Sequence, residues 1–304
     1  MVLRQLEYLV ALAREKHFGR AAEACHVTQP TLSAAIRQLE EDLGAPIIER
    51  GHRFIGLTAQ GLLALDHAHR ILAEAGDLRR RIEELDKGLG GRLRLGVIPT
   101  ALPIVSHLMT PFYARFPNVG VTVLSHNSHD IQRGIEDFEL DVGITYLDNE
   151  PLERVRAKPI YQEEFVFLTP ADGPWADRRT ISWATAATAP LCLLTPDMQN
   201  RRIVDGVFRS VGATPKPAVE TNSIFNLVSH ASSGHWSSIV PRQLLQFFGV
   251  PANTRAIDLV DPIASRSVGY IVADRDPVSP IARNLLAIPL PKDIVALITP
   301  PRKG

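Results

Sequence analysis

The side chains able to do chemistry in this 304-residue chain are few and poorly grouped for catalysis. Its two cysteines, Cys25 and Cys192, stand far apart and lack metal-type spacing, so neither a disulfide framework nor a zinc site is implied. The run His126-Asn127-Ser128-His129 offers imidazoles without a defined fourth ligand and reads as a polar surface loop. Scattered Ser, His and Asp make no nucleophile elbow, and Gly88-Leu89-Gly90-Gly91 precedes a predicted strand instead of following one, which fails the context of a dinucleotide loop. No metal, no cofactor and no enzymatic activity are expected. What remains is recognition chemistry. Three predicted helices begin with short hydroxyl or amide residues, at Thr100, Ser128 and Asn222-Ser223. The free N–H groups and positive dipole end of a helix start suit an anion, although the same residue types are also ordinary helix caps.

The other recognition feature is the segment HVTQPTLSAAIRQLEEDLG, residues 26 to 44. If it is helical from Gln29, Leu32, Ile36, Leu39 and Leu43 fall on one buried stripe. The opposite stripe carries Pro30, Ser33, Ala34 and Arg37, small or planar residues that permit close approach to another surface. A helix is predicted from Leu3 to Glu15, with Leu6, Leu9, Val10 and Ala13 on one side. A short alanine-rich helix from Gly19 to Cys25 follows, and then the turn His26-Val27-Thr28. Short helix, three-residue turn and second helix with proline in its first turn make a helix-turn-helix. Residues 44 to 58 are predicted as two short strands around Arg50-Gly51-His52-Arg53, a donor-rich tip that forms a wing.

Gross charge gives this region no help. Residues 1 to 58 carry seven Arg or Lys (Arg4, Arg14, Lys16, Arg20, Arg37, Arg50, Arg53) and seven acids (Glu7, Glu15, Glu23, Glu40, Glu41, Asp42, Glu49). Nucleic-acid binding must then rest on placement: the acids gather at Glu40 to Asp42, while Arg37, Arg50, His52 and Arg53 lie near the exposed face and the wing.

From Ala59 to about Leu89 the chain reads as one long helix. Ala64, Ala68, Ile71, Ala75, Leu78, Ile82, Leu85 and Leu89 recur at alternating spacings of four and three, the seam of a coiled coil, so a dimer is expected. Lys87 to Gly91 serves as a hinge. Beyond it, strands at Leu93–Val97, Val121–Ser125 and Asp141–Tyr146 alternate with helices, and the pattern restarts at Phe165–Leu168. A late strand, Val268–Val272, returns to the first set. Parallel sheets with crossover helices in two lobes make a clamshell with a ligand cleft between them. With 45% hydrophobic and 22% charged residues, no apolar run of membrane-spanning length and a polar first helix, a cytoplasmic protein without membrane contact is expected.

The run Ala21-Ala22, Val27 to Ser33, Ile36, Leu39-Glu40, Leu43-Gly44, Arg50, Leu57-Thr58 and Gly61 resembles the amino-terminal module of LysR-type transcriptional regulators, with looser similarity through the linker helix and the two lobes. The resemblance implies an α+β multidomain fold. Its parts are a winged helix-turn-helix (1–58), a linker and dimerisation helix (59–87) and a two-lobed α/β effector-binding domain of the periplasmic-binding-protein type (88–304). Lobe I spans about 92–161 and 267–304, and lobe II about 162–266. It further implies that Gln29 and Arg37 contact base edges or phosphates and that Pro30 and Ala34 make apolar contact in the major groove. Thr28, Thr31 and Ser33 bind phosphates or bases, and Arg50, His52 and Arg53 reach the backbone or minor groove. Departures from the family pattern stand at His17, Ala34 and Ile48.

LEYLVALAREKHFGRAA and CHVTQPTLS are similar to the peroxide-sensing branch, yet an ungapped match puts Asn200 and Arg209 where the two redox cysteines of that branch would stand. A redox-sensing regulator is therefore the alternative, and a bound small molecule the expected signal. Thr100 and Ser128 match positions that line the family's effector pocket, with Tyr146, Asn200 and Arg202 as companions. Arg202 is the expected fixed charge for a small carboxylate or other anion of formate to dicarboxylate size. The implied partners are double-stranded operator DNA with an inverted repeat, RNA polymerase, and further copies of the chain in a dimer of dimers through Ile71, Leu78, Ile82 and Leu85. A ligand-binding protein without a DNA role is opposed by the first 90 residues and the lack of an export signal.

Overall fold

A computed structural model describes residues 1–49, 54–87, 89–275 and 278–298, in two units, Met1–Gly90 and Gly91–Gly304. The first holds α1 (Leu3–Glu15), α2 (Phe18–Ala24), α3 (Gln29–Leu43) and α4 (Ala59–Lys87). Each turn has a local cause. His17 caps α2, its Nδ1 accepting from the N–H groups of Gly19 and Arg20 at 3.1 and 3.3 Å. Thr28 caps α3, with Pro30 in the first turn where its missing N–H costs nothing, and Gly44, at φ +67°, ends it. Leu32, Ile36 and Leu39 are fully buried against Leu9, Leu12, Ala21, Ala22 and Ile47. At about 1.5–3 kcal/mol for each such side chain, this stripe anchors α3.

Three details differ from the sequence expectation. Leu43 is 44% exposed, because the last turn of α3 runs beyond the core before Gly44 turns the chain. In α1 the buried side is Leu6, Tyr8, Leu9 and Leu12, with Val10 only partly covered. Where two wing strands are expected, the described residues show an antiparallel bridge, Ile48 to Leu57, flanked by Glu49 N–H to Gly56 O (3.0 Å) and Thr58 N–H to Ile47 O (3.1 Å). The predicted tip, Arg50, His52 and Arg53 included, lies outside the described residues.

The coiled-coil seam is also shorter than its spacing suggests. Ala68 is fully buried and Ala64 partly buried in the core of the module itself, so the free stripe starts at Ile71. Ile71, Leu78 and Ile82 are 37%, 61% and 55% exposed, the side chain of Leu85 is outside the description, and Leu89 follows the helix end.

The second unit runs β1 (Gly91–Val97), α5 (Leu102–Arg115), β2 (Val119–Ser125), α6 (Ser128–Glu136), β3 (Val142–Tyr146), β4 (Val155–Pro170), β5 (Thr180–Ser182), α7 (Trp183–Ala186), β6 (Leu191–Leu194) and α8 (Gln199–Ser210). It continues with β7 (Val219–Thr221), α9 (Ile224–Ser232), β8 (Ser237–Pro241), α10 (Arg242–Phe248), β9 (Thr254–Val260), β10 (Ser265–Ala273), α11 (Pro280–Ala287) and α12 (Lys292–Ile298). Among the described residues the strand order is β2-β1-β3-β10-β4-β8-β6-β7, with β9 and β5 branching from β4. The crossover pairs are parallel, as the βα alternation predicts, but β10 runs antiparallel to β3 and β4, and β4 antiparallel to β8 and β9.

The cause is β4. The sequence pattern signalled only Phe165–Leu168, within its continuously buried end at 165–170, whereas the strand is sixteen residues long. Residues 155–164 pair with β10, and 165–170 pair with β8 and β9. One strand thus passes from the first lobe into the second, and the chain returns between β9 and β10.

Candidate functional site

The exposed side of α3 presents Gln29, Pro30, Thr31, Ala34 and Arg37, with Thr28 at its cap and Ser33 half-buried. Arg37 makes no hydrogen bond or ion pair among the described residues, so its guanidinium is available to a ligand. The hydroxyls of Thr28 and Thr31 bond each other at 2.8 Å, and Thr28 Oγ1 also accepts the Thr31 N–H. Thr28 is therefore first a cap, which limits what it offers a phosphate. The nearby acids are partly occupied: Glu40 Oε1 accepts the N–H groups of Ile47 and Ile48 at 2.9 and 3.2 Å, tying α3 to the wing base.

In the second unit the expected pocket residues come together at the carboxyl ends of strands, where open α/β sheets bind ligands. Thr100 lies in a 3₁₀ turn after β1, and Tyr146 ends β3. Ser128 opens α6 behind the cap Asn127, and Asn200 and Arg202 sit in the first turn of α8. Asn200 Nδ2 donates to Tyr146 Oη at 2.9 Å, linking lobe II to lobe I. Thr100 Oγ1 is 3.2 Å from the same oxygen. The proton of Tyr146 goes to Glu163 Oε1, and Tyr161 Oη donates to Glu163 Oε2 at 3.1 Å. Thr100, Tyr146, Glu163 and Asn200 are all buried. Burial pushes both phenols well above their usual range and raises the Glu163 carboxyl to about 7, against the pull of the two phenol hydrogen bonds.

Two expectations require correction. Arg202 is not a free charge: its Nε and Nη2 clamp Glu150 at 2.6 and 2.9 Å, and Nη1 donates to the carbonyls of Pro196 and Asp197. Its contact with Ser128 Oγ is 3.5 Å. Nor do Thr100 and Ser223 cap helices with their side chains. Glu163, Tyr161 and Glu150 were missed. Glu163 had a signal, since period-two alternation along β4 puts it on the face of Tyr161 and Phe165. Glu150 had none, as its partner is 52 residues distant.

Cys192 is fully buried on β6, and burial pushes its thiol up to about 11; burial also raises the partly covered Cys25. A reactive sensor thiol needs the opposite shift.

A helix-turn-helix with an uncommitted recognition face, a long helix with an exposed apolar stripe, and a two-lobed α/β unit with polar side chains gathered at its strand ends have the make-up of a DNA-binding regulator with an effector domain. Residues 3–62 match the bacterial regulatory helix-turn-helix protein family, lysR type, and residues 86–289 match the LysR substrate binding domain. The chain belongs to the LysR family of DNA-binding transcriptional regulators. It is 31% identical over 242 residues to the DNA-binding transcriptional dual regulator OxyR of Escherichia coli K12, covering 79% of each chain. It is 30% identical over 288 residues to the uncharacterized regulator YnfL of the same organism, covering 93% of this chain and 95% of that one. The solved structure of a full-length OxyR variant from Pseudomonas aeruginosa superposes with a TM-score of 0.72 at 28% identity, covering 96% and 97% of the two chains.

Proposed function

We propose that this regulator binds an inverted-repeat operator as a homo-oligomer, with α3 in the major groove and Arg50, His52 and Arg53 of the wing on the flanking backbone or minor groove. The observation that carries this reading is the exposed face of α3: Pro30 and Ala34 permit close approach, and Arg37 has no partner within the described residues. The exposed stripe Ile71, Leu78 and Ile82 of α4 supports pairing of two linker helices, which the sequence spacing extends to Leu85. Exposed Tyr113, Val123, Leu124 and Phe225 on the second unit support a further contact, giving a dimer of dimers. The protein acts in the cytoplasm, and its placement on DNA controls access of RNA polymerase.

The signal is a small polar molecule bound in the cleft lined by Thr100, Ser128, Tyr146 and Asn200. Gln199 Oε1 and Thr195 Oγ1 are buried without a partner among the described residues and are suited to meet it. A small carboxylate of formate to dicarboxylate size reaches Arg202 only by displacing Glu150. An uncharged hydroxyl or amide ligand meets the same wall without breaking that pair. Binding and not thiol oxidation is the signal, because neither cysteine has the setting of a reactive thiolate.

A promoter fragment from upstream of the protein's own reading frame should shift on a gel at nanomolar protein concentration. Arg37→Ala should weaken that binding about tenfold and reduce the slope of log affinity against log salt by about one. Equal affinity of the two proteins across the salt titration would remove Arg37 from the interface.

A further inference from the structure

Glu163 is a carboxyl group in an unusual setting. It is fully buried, two residues before Phe165, where β4 passes from its pairing with β10 to its pairing with β8 and β9 and the lobes join. The groups facing it are Tyr161 of its own strand, Tyr146 of β3, and Arg266, its register partner on β10. Arg266 turns its Nη1 to the carbonyl of Ser265 at 2.7 Å and forms no ion pair with Glu163 among the described residues. Among the described residues the carboxyl is thus held by two phenol hydrogen bonds without an ion pair, and an ionised group in such a place is costly.

The hydrogen-bond directions follow from the proton count. Tyr146 spends its only proton on Glu163, so Asn200 and Thr100 must donate to the Tyr146 oxygen. Asn200 belongs to lobe II, whereas Tyr146 and Thr100 belong to lobe I. A neutral Glu163 keeps this chain intact, because one oxygen still accepts from Tyr146 while the other turns its proton to the Tyr161 oxygen. An ionised Glu163 gains by reaching water, and parting of the lobes at the Asn200–Tyr146 bond opens the chain that covers it. We propose that the chain Glu163–Tyr146–Asn200 is a proton-operated latch between the lobes, closed while the carboxyl is neutral and loosened when it ionises. Its regulatory meaning rests on the cleft being the effector site, but its operation does not.

The sign is set by burial, which lifts the closed-state carboxyl from an ordinary 4.5 to about 7. A group with a raised closed-state value stabilises the closed form fully below its open-state value, and that stability is lost as pH rises toward the closed-state value. The open population should therefore grow by up to about tenfold per pH unit between roughly pH 5 and 7 and level off above. The Arg202–Glu150 pair also crosses the lobes and should keep the loosening local.

The test is hydrogen–deuterium exchange of the full chain without DNA or effector, read on peptides covering 142–147 and 199–204 and corrected for intrinsic exchange. Protection of both should fall across pH 5 to 7 in the native protein. It should be independent of pH in Glu163→Gln, and the fall should move to higher pH in Tyr161→Phe, which removes one donor to the carboxylate. No pH dependence in the native chain, or the same dependence in Glu163→Gln, overturns the latch. If Glu163→Gln does not fold, an unmoved profile in Tyr161→Phe overturns it equally. Because the readout needs neither operator nor ligand, its failure is distinct from failure of the regulator reading.

Discussion

Gly61→Ala should lower the melting of the amino-terminal unit by more than about 10 °C while leaving the effector-binding unit unmoved in calorimetry of the full chain. Gly61 lies in the first turn of α4, where its N–H donates to Thr58 Oγ1 at 3.0 Å. A Cβ there would stand 2.0 Å from the carbonyl oxygen of Ile47 and 2.9 Å from its carbon. The obstacle is backbone that cannot swing aside, and the same carbonyl accepts the Thr58 N–H that starts the wing base. Alanine is ordinarily the better helix former by about 1 kcal/mol. Overpacking against a fixed backbone outweighs that gain, and a net loss of about 3 kcal/mol is expected. For a unit of this size each kcal/mol is worth about 4–8 °C. Melting equal to or above that of the native chain would show that the wing base gives way freely.

The second large effect is on affinity. Ala34→Glu should reduce operator binding about a hundredfold, and Ala34→Gln much less, because the position combines close approach with a strongly negative partner surface. Ala34 is exposed and glutamate is a good helix former, so folding should not change. The check is a gel-shift titration of both variants beside circular dichroism. Operator affinity of Ala34→Glu within a factor of three of native would mean that this side of α3 does not face the duplex.

The contrast between the two units explains what the sequence disclosed. In the first, contacts are local: Leu32, Ile36 and Leu39 repeat at helical spacing, and Thr28, Pro30 and Gly44 mark the ends of α3, so the stripe and its opposite face were readable directly. The long helix was readable too, but not the fact that Ala64 and Ala68 belong to the module's own core, since a heptad pattern does not say which neighbour covers it. In the effector unit, Thr100, Tyr146 and Asn200 were legible as a group through family resemblance, and they do meet. The partner of Arg202 was not legible, because Glu150 sits in a loop without periodicity and the ion pair depends on tertiary placement alone. Glu163 was overlooked for another reason. A charged residue in a strand reads as solvent-facing, and only strict alternation along a strand longer than the apolar run reveals that it points inward.

The continuity of β4 limits how the lobes can answer any ligand. A loop joint swings freely, but here an unbroken ribbon, hydrogen-bonded to β10 on one side of the junction and to β8 and β9 on the other, carries the crossing. The pairing of β4 with β10 shifts register between Val268 and Gly269, which face Tyr161 and Pro159 and leave Ile160 of β4 as the extra residue, and Gly269 lies so near the carbonyl of Lys158 that a Cβ would stand 2.4 Å away. An extra residue of this kind bends the strand that carries it and sharpens its local twist, so this stretch is where the ribbon's twist can change. The two lobes of the effector unit are thus joined by a paired ribbon and not by a loop alone, and a change in their relation has to pass through the twist of that ribbon.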